Sequence, residues 1–143
     1  MSKLRLSYPK LSPAAYAGLI QCKTALESSS LDIMLIELVY LRVSQINGCA
    51  FCLEMHSTSL RHHGVAQNKL DALNGWQVSE RFTEKERAAL LWTDAVSQIS
   101  AKNTNDDIYQ QVKAYFSDTE MSDLTLAIGL MNAFNRIAVS LRQ

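Results

Sequence analysis

Glu37, Cys49, Cys52 and His56 are the residues of this chain whose types and spacing can do chemistry. The stretch ELVYLRVSQINGCAFCLEMH, residues 37–56, runs from a carboxylate to a C-x-x-C pair and then to a histidine four positions beyond the second cysteine. If the chain is helical after Gly48, Cys49 and Cys52 are three apart and Cys52 and His56 four apart. Helical neighbours are the i,i+3 and i,i+4 pairs, so both thiols and the imidazole share one face. Two thiols and an imidazole on one stripe make a redox or a metal constellation.

Three chemistries compete for that stripe. Haem attachment needs a histidine directly after the second cysteine, and Leu53 stands there. Zinc would take Cys49, Cys52 and His56, with Glu37, His62 or His63 as a fourth ligand. Structural zinc sites usually draw their second ligand pair from a separate knuckle, and the chain has no second C-x-x-C. A dithiol/disulfide pair fits better: two thiols three residues apart close a small ring, and a helix N-terminus favours the thiolate. His56, one turn past Cys52, can take a thiol proton. Glu37, on the preceding helix, can orient or charge that histidine, which is the nucleophile–base–orienter logic of activated cysteines. Ordinary core packing of the thiols and a satisfied core histidine is the remaining alternative, as is a carboxylate at Glu37 that simply escapes to the surface.

The bulk composition narrows the setting. A chain of 143 residues fits one domain, which buries roughly 68–70% of its unfolded surface if it folds alone. Net charge is zero and no basic run occurs, so neither nucleic acid nor an anionic membrane is an expected partner. The most apolar run, Leu31–Leu41, is interrupted by Asp32 and Glu37, and no stretch is read as reaching the roughly 18 residues of a membrane span. Lys3 and Arg5 are followed by no apolar segment or small-residue cleavage site, so no signal peptide is expected. Three cysteines are too few for a disulfide scaffold, and a reducing, cytoplasmic setting is the default.

The elements that must position the stripe are all helical. Residues 1–11 read as an extended arm, with Leu4, Leu6 and Tyr8 alternating and Pro9 limiting any helix. Such an arm needs a surface to lie on, a neighbouring subunit being one candidate. Ser12-Pro13 opens a helix to about Glu27. A second helix starts after Ser30 and stops at Asn47-Gly48; it is apolar nearly all round, so it is expected to be central and buried, which makes Glu37 conspicuous. The third carries the C-x-x-C near its start and ends at Gly64. Ala66–Leu73 is a short helix, followed by a turn at Asn74-Gly75. Thr83 with Glu86 has capping-box spacing and opens a helix through Ile99; Asn103–Asn105 is a loop, and Asp106–Phe116 a further helix. Ser117 with Glu120 repeats the capping-box spacing ahead of a final helix with a 3.6-residue period in Leu124, Ala127, Ile128, Met131, Phe134 and Ala138.

The spacing Glu-x(11)-Cys-x-x-Cys-x(3)-His, at Glu37, Cys49, Cys52 and His56, resembles the redox motif of the carboxymuconolactone decarboxylase / AhpD-like alkylhydroperoxidase family. The final helix, with Asn132-Ala133-Phe134-Asn135-Arg136, is similar to that family's ending. The similarity runs from about residue 12 to the end. It implies an all-α, AhpD-like helical bundle in a single domain, assembly as a homotrimer or homohexamer, and thiol-dependent reduction of hydroperoxides by an external dithiol, with no cofactor. Members that decarboxylate a muconolactone lack the paired cysteines, which favours the peroxidase branch here. One departure stands out: AhpD itself has a second histidine between the cysteines, where this chain has Phe51.

On this reading Cys52 is the peroxidatic thiol because His56 lies one turn away, and Cys49 resolves the sulfenic acid into a disulfide. The reverse order stays open, since Cys49 lies nearer the helix N-terminus. Glu37 tunes His56. Tyr40 and Ser44 fall near the Glu37 face and are candidates to line the site, although packing is the commoner use of such residues. His63 suits a helix end, His62 and Cys22 are structural or exposed, and Trp76 and Trp92 suit a helical core. Asn132, Asn135 and Arg136 are read as caps of other helices or as pairs across a subunit boundary, in preference to substrate contacts. Glu84–Arg87 reads as a solvated face. A non-enzymatic redox- or zinc-dependent interaction module is the rival from another class.

Overall fold

A computed structural model describes residues 3–143, and within them the regular structure is entirely helical. Helix α1 (Tyr8–Leu11) is a single turn, α2 spans Pro13–Glu27, α3 Ile33–Asn47 and α4 Ala50–His62. Helix α5 (Gln67–Ala72) runs into a 3-10 helix, Leu73–Val78, and α6 (Glu84–Ser97), α7 (Asp106–Lys113) and α8 (Asp118–Leu141) complete the bundle. The all-α expectation holds among the described residues.

α3 is the central element, packed against α4, α6 and α8. Its start is capped by Asp32, whose carboxylate accepts from the backbone N–H groups of Met34 and Leu35 at 2.7 and 3.3 Å. Its apolar residues lie all round because two cores use them. Ile36, Val39, Tyr40 and Val43 pack with Leu26, Ala89, Val112, Leu124, Ile128 and Met131. Leu38 and Leu41, on the other side, pack with Leu60, Leu73, Trp76, Phe82 and Leu90. A helix that serves two cores has no polar face left for solvent.

Between these cores Arg42 donates from Nε and Nη2 to the two carboxylate oxygens of Asp94, at 2.7 and 3.1 Å. Asp94 also accepts from the Trp76 indole N–H at 3.1 Å. This buried fork joins α3, α6 and the 3-10 helix.

The expected extended arm is corrected. Residues 1 and 2 lie outside the described residues, and Tyr8–Leu11 is helical rather than extended. Pro9 sits in the first turn, where a missing N–H costs nothing, so it starts a helix instead of preventing one. The segment before it is tied to its own chain: Arg5 donates its backbone N–H to the Leu141 carbonyl at 2.8 Å and its guanidinium to the Ser140 carbonyl at 3.1 Å. The turn expected at Asn74-Gly75 is present as a kink at Gly75, φ −108° and ψ 30°, within the 3-10 segment; the helix opened by Thr83 stops at Ser97, and α7 stops at Lys113. α8, counted through its few charges, is long and apolar enough by length and composition to cross a membrane, where no such stretch was expected. Its apolar stripe is placed in the protein core, through Met121, Leu124, Ala127, Ile128 and Met131.

Both capping boxes form. Ser117 Oγ accepts from the Glu120 N–H and Glu120 returns a bond to the Ser117 N–H, each at 3.1 Å. That backbone N–H, with Lys85 adding to it, holds the Glu120 carboxyl below its ordinary value. A depressed folded-state value means the contribution is complete above the unfolded value and fades as pH falls toward the folded one. Ser117→Ala is expected to cost about 1 kcal/mol at neutral pH, and the Glu120→Gln protein should lose less stability than the parent between neutral and acid pH. Urea midpoints at both pH values measure this; equal acid losses in the two proteins would refute the assignment.

Candidate active site

The site is assembled across one tight reversal. α3 ends at Asn47, and Gly48 adopts a left-handed conformation, φ 65° and ψ 37°, that a side chain would strain by about 1–2 kcal/mol. Its N–H and that of Cys49 return to the carbonyls of Gln45 and Ser44. The very next residue, Cys49, is the N-cap of α4, so the chain turns from the end of one helix to the start of another within two residues. That reversal lays α4 along α3 and brings His56 back against Glu37.

Cys49 and Cys52 are joined as a disulfide, their Cα atoms 5.3 Å apart, and both are buried. Cys49 Sγ occupies the N-cap acceptor position and receives the Cys52 backbone N–H at 3.4 Å. In the reduced protein that donor and the helix dipole favour a thiolate at Cys49. His56 is buried, and its Nδ1 lies 2.8 Å from Glu37 Oε2. An ionised carboxylate only accepts, so Nδ1–H donates to it, and in the neutral ring Nε2 keeps a lone pair. Nε2 is buried with no hydrogen-bond partner. Cys52 stands one helical turn before His56 in α4.

Cys52 and Cys49 open on different cavities. Cys52 lines a mostly apolar cavity of about 300 Å³ walled by Tyr16, Ile20, Phe51, Met55, Met131 and Phe134. The Lys23–Glu27 pair of α2 lies nearby, Lys23 on this cavity and both residues on a second recess that reaches Glu37, His56 and His63. Cys49 borders a smaller recess near the end of α8.

The other two expected lining residues, Tyr40 and Ser44, border none of these three cavities, though Tyr40 packs against His56. Tyr40 is fully buried with its ring centroid 5.2 Å from that of His56, and its hydroxyl has no partner. Burial, aided by the Glu27 and Glu37 charges, pushes its phenol well up. Ser44 lines no cavity: it donates to the Tyr40 carbonyl at 2.8 Å and accepts from Asn135 Nδ2 at 3.1 Å. Asn47 donates to the side-chain carbonyls of Asn132 and Asn135 at 2.9 and 3.1 Å, and Arg136 donates to Asn132 at 2.8 Å. This asparagine cluster joins α8 to the last turn of α3, immediately before the Gly48 reversal; it is a pairing within the chain, where helix caps or pairs across a subunit boundary were expected. Trp76 and Trp92 are core residues, bonded to Asp94 and Thr125 respectively. Cys22 is a free, half-buried thiol, and His62 and His63 are exposed at the far end of α4. Among the described residues no group of three or more His, Cys, Asp or Glu side chains converges in a metal-holding arrangement.

What sequence reasoning missed is the cavity wall. Tyr16 and Ile20 of α2 and Met131 and Phe134 of α8 were legible as helical apolar positions, but nothing local marks which of them face a void.

Comparison with known proteins gives a consistent result. The family model described as carboxymuconolactone decarboxylase family matches residues 13–95. The uncharacterized protein YdfG of Bacillus subtilis is 30% identical over 137 residues, covering 96% of this chain and 93% of YdfG. The crystal structure of ATU0492 from Agrobacterium tumefaciens, a protein of unknown function provisionally described as the antioxidant defence protein AhpD, superposes with a TM-score of 0.94. It is 41% identical, over 99% of this chain and 97% of that one. A peroxidase-related protein of Ralstonia eutropha with an alkylhydroperoxidase AhpD core shares the fold, with a TM-score of 0.81 at 18% identity over 93% of this chain and 71% of that one.

Proposed function

The chain belongs to the carboxymuconolactone decarboxylase family, and from that premise we propose that it is a thiol-dependent peroxidase that reduces organic hydroperoxides through a Cys49/Cys52 dithiol–disulfide cycle. The observation that carries this reading is the Cys52 sulfur on an apolar cavity, with a Glu37-oriented imidazole one turn behind it.

In the reduced protein His56 Nε2 accepts the Cys52 thiol proton, and Glu37 stabilises the imidazolium that forms. The thiolate attacks the distal oxygen of the hydroperoxide. The O–O bond breaks, the proton goes to the departing alkoxide, and Cys52 is left as a sulfenic acid. Cys49 condenses with it, releasing water and forming the disulfide whose backbone spacing is already suitable, 5.3 Å between Cα atoms. An external dithiol returns two electrons and two protons. The apolar wall admits the organic part of the substrate, and with Phe51 between the cysteines no second imidazole takes part.

The test is hydroperoxide consumption by the pre-reduced protein, with dithiothreitol and cumene hydroperoxide. Stoichiometric oxidation of the two thiols followed by turnover is expected. Carbon dioxide release from a muconolactone-type acid, with no hydroperoxide consumed, would move the function to decarboxylation.

His56→Gln is expected to lower kcat/KM by about 10²–10⁴-fold, the range for a general acid–base group. Glu37→Gln should cost roughly 10²-fold, because it lets the ring adopt the wrong tautomer. Both variants should shift the pH profile of thiol oxidation. Rates within a factor of about two of the parent for either variant would remove the relay.

A further inference from the structure

The disulfide has two faces, and the cavities on them differ. Cys52, and not Cys49, borders the larger apolar cavity between α2, α4 and α8. Cys49, and not Cys52, borders a recess of about 180 Å³ rimmed by Gly48, Ala50, Val139 and Arg142. Phe51, Ala138 and Gln143 border both and stand as the partition. The rim on the Cys49 side is low because Gly48 has no side chain and Ala50 only a methyl group, whereas the Cys52 cavity is walled by aromatic and long apolar residues.

Building on the peroxidase reading, we infer that hydroperoxide and reductant reach the site from opposite faces: the hydroperoxide meets Cys52 in the apolar cavity, and a slender external dithiol attacks Cys49 from the recess beside Val139. Thiol–disulfide exchange depends on which sulfur the incoming thiolate can reach. A reductant thiolate bonds to Cys49 Sγ, the Cys49–Cys52 bond breaks, and the electron pair leaves on Cys52. Cys52 is protonated through His56, which passes on the proton that the reductant thiol gave up on becoming a thiolate. The second reductant thiol then displaces Cys49 from the mixed disulfide, closing the reductant's own disulfide. Cys49 departs as a thiolate held by the N–H of Cys52 and the α4 dipole. Two electrons pass from the dithiol to the protein; of its two protons one ends on Cys52 and the other is released to solvent, from which the Cys49 thiolate is protonated. The arrangement keeps the reductant out of the cavity in which the sulfenic acid forms.

Val139 is 47% exposed and Ala50 is exposed, and neither borders the Cys52 cavity, so each can be enlarged from the solvent side. The experiment measures the two half-reactions separately: oxidation of pre-reduced protein by cumene hydroperoxide, and reduction of the disulfide form by dithiothreitol. For Val139→Trp the ratio of the reductive to the oxidative rate is expected to fall at least about ten-fold, because the recess is obstructed. Ala50→Trp should act in the same direction and stands in if Val139→Trp fails to fold. Ile20→Trp, on the opposite face, should move the ratio the other way. An unchanged ratio in both rim variants, or a fall with Ile20→Trp as well, overturns the two-faced assignment. Failure of the pre-reduced parent to consume hydroperoxide at all is a different result and counts against the peroxidase reading itself.

Discussion

Cys52→Ser is expected to abolish hydroperoxide turnover, reducing it to the rate of free thiol in solution, while Cys49→Ser retains one oxidation event per molecule. The asymmetry follows from position rather than from intrinsic reactivity. Cys49, as N-cap, receives a backbone N–H, a donor that favours a thiolate, yet it faces the small recess. Cys52 faces the substrate-sized cavity and precedes His56 by one turn. A thiolate's nucleophilicity falls along with its pKa, so extra stabilisation at Cys49 does not make it the better attacker. Access and a base at hand favour Cys52. In the Cys49→Ser protein the sulfenic acid has no resolving partner and should be trapped by dimedone in a one-to-one adduct identified by mass spectrometry. The Cys52→Ser protein should give none. An adduct on Cys52→Ser and none on Cys49→Ser reverses the order of the two sulfurs.

The second large effect is on stability. Asp94→Ala is expected to lower the unfolding free energy by about 3–5 kcal/mol, the cost of leaving a buried charge without its partner. Asp94 satisfies the Arg42 fork and the Trp76 indole together, and the Arg42 and Asp94 side chains are only 12% and 7% exposed. Removing the carboxylate leaves the guanidinium with only its neutral acceptors, Gln45 and Asn74, and leaves an indole N–H without an acceptor. Against a typical total of about 5–15 kcal/mol this is a large fraction. Replacing both partners by apolar residues, Arg42→Met with Asp94→Leu, should cost less than Asp94→Ala alone, because no uncompensated charge remains. Urea denaturation of the three proteins measures the order. A loss below about 1 kcal/mol for Asp94→Ala would mean that water screens the pair as it does a surface bridge.

The chemistry was legible along the chain because it is written at helical spacing. Cys49 caps α4 and Cys52 and His56 lie on its first two turns, and Gly48 marks where the preceding helix must stop. The capping boxes at Thr83 and Ser117 were legible for the same reason: their hydrogen bonds span three residues. Tyr8–Leu11 was misjudged because proline reads as a breaker unless it is known to occupy a first turn, and α8 because a few charges along it hid its apolar length.

What the sequence alone determined, then, is the set of local devices: which residues share a face, where helices begin and end, and which side chains have reactive chemistry. Only the tertiary structure decided that Glu37 meets His56 across nineteen positions, that Asp94 answers Arg42 across fifty-two, and that Asn135 locks α8 against Ser44. It alone decided which apolar residues of α2 and α8 face a void beside Cys52. Helical periodicity is set by hydrogen bonds between residues four apart, so it can be read locally. The angle and depth at which helices cross depend on the packing of side chains distant in sequence, and cavities and buried ion pairs exist only once that packing is complete.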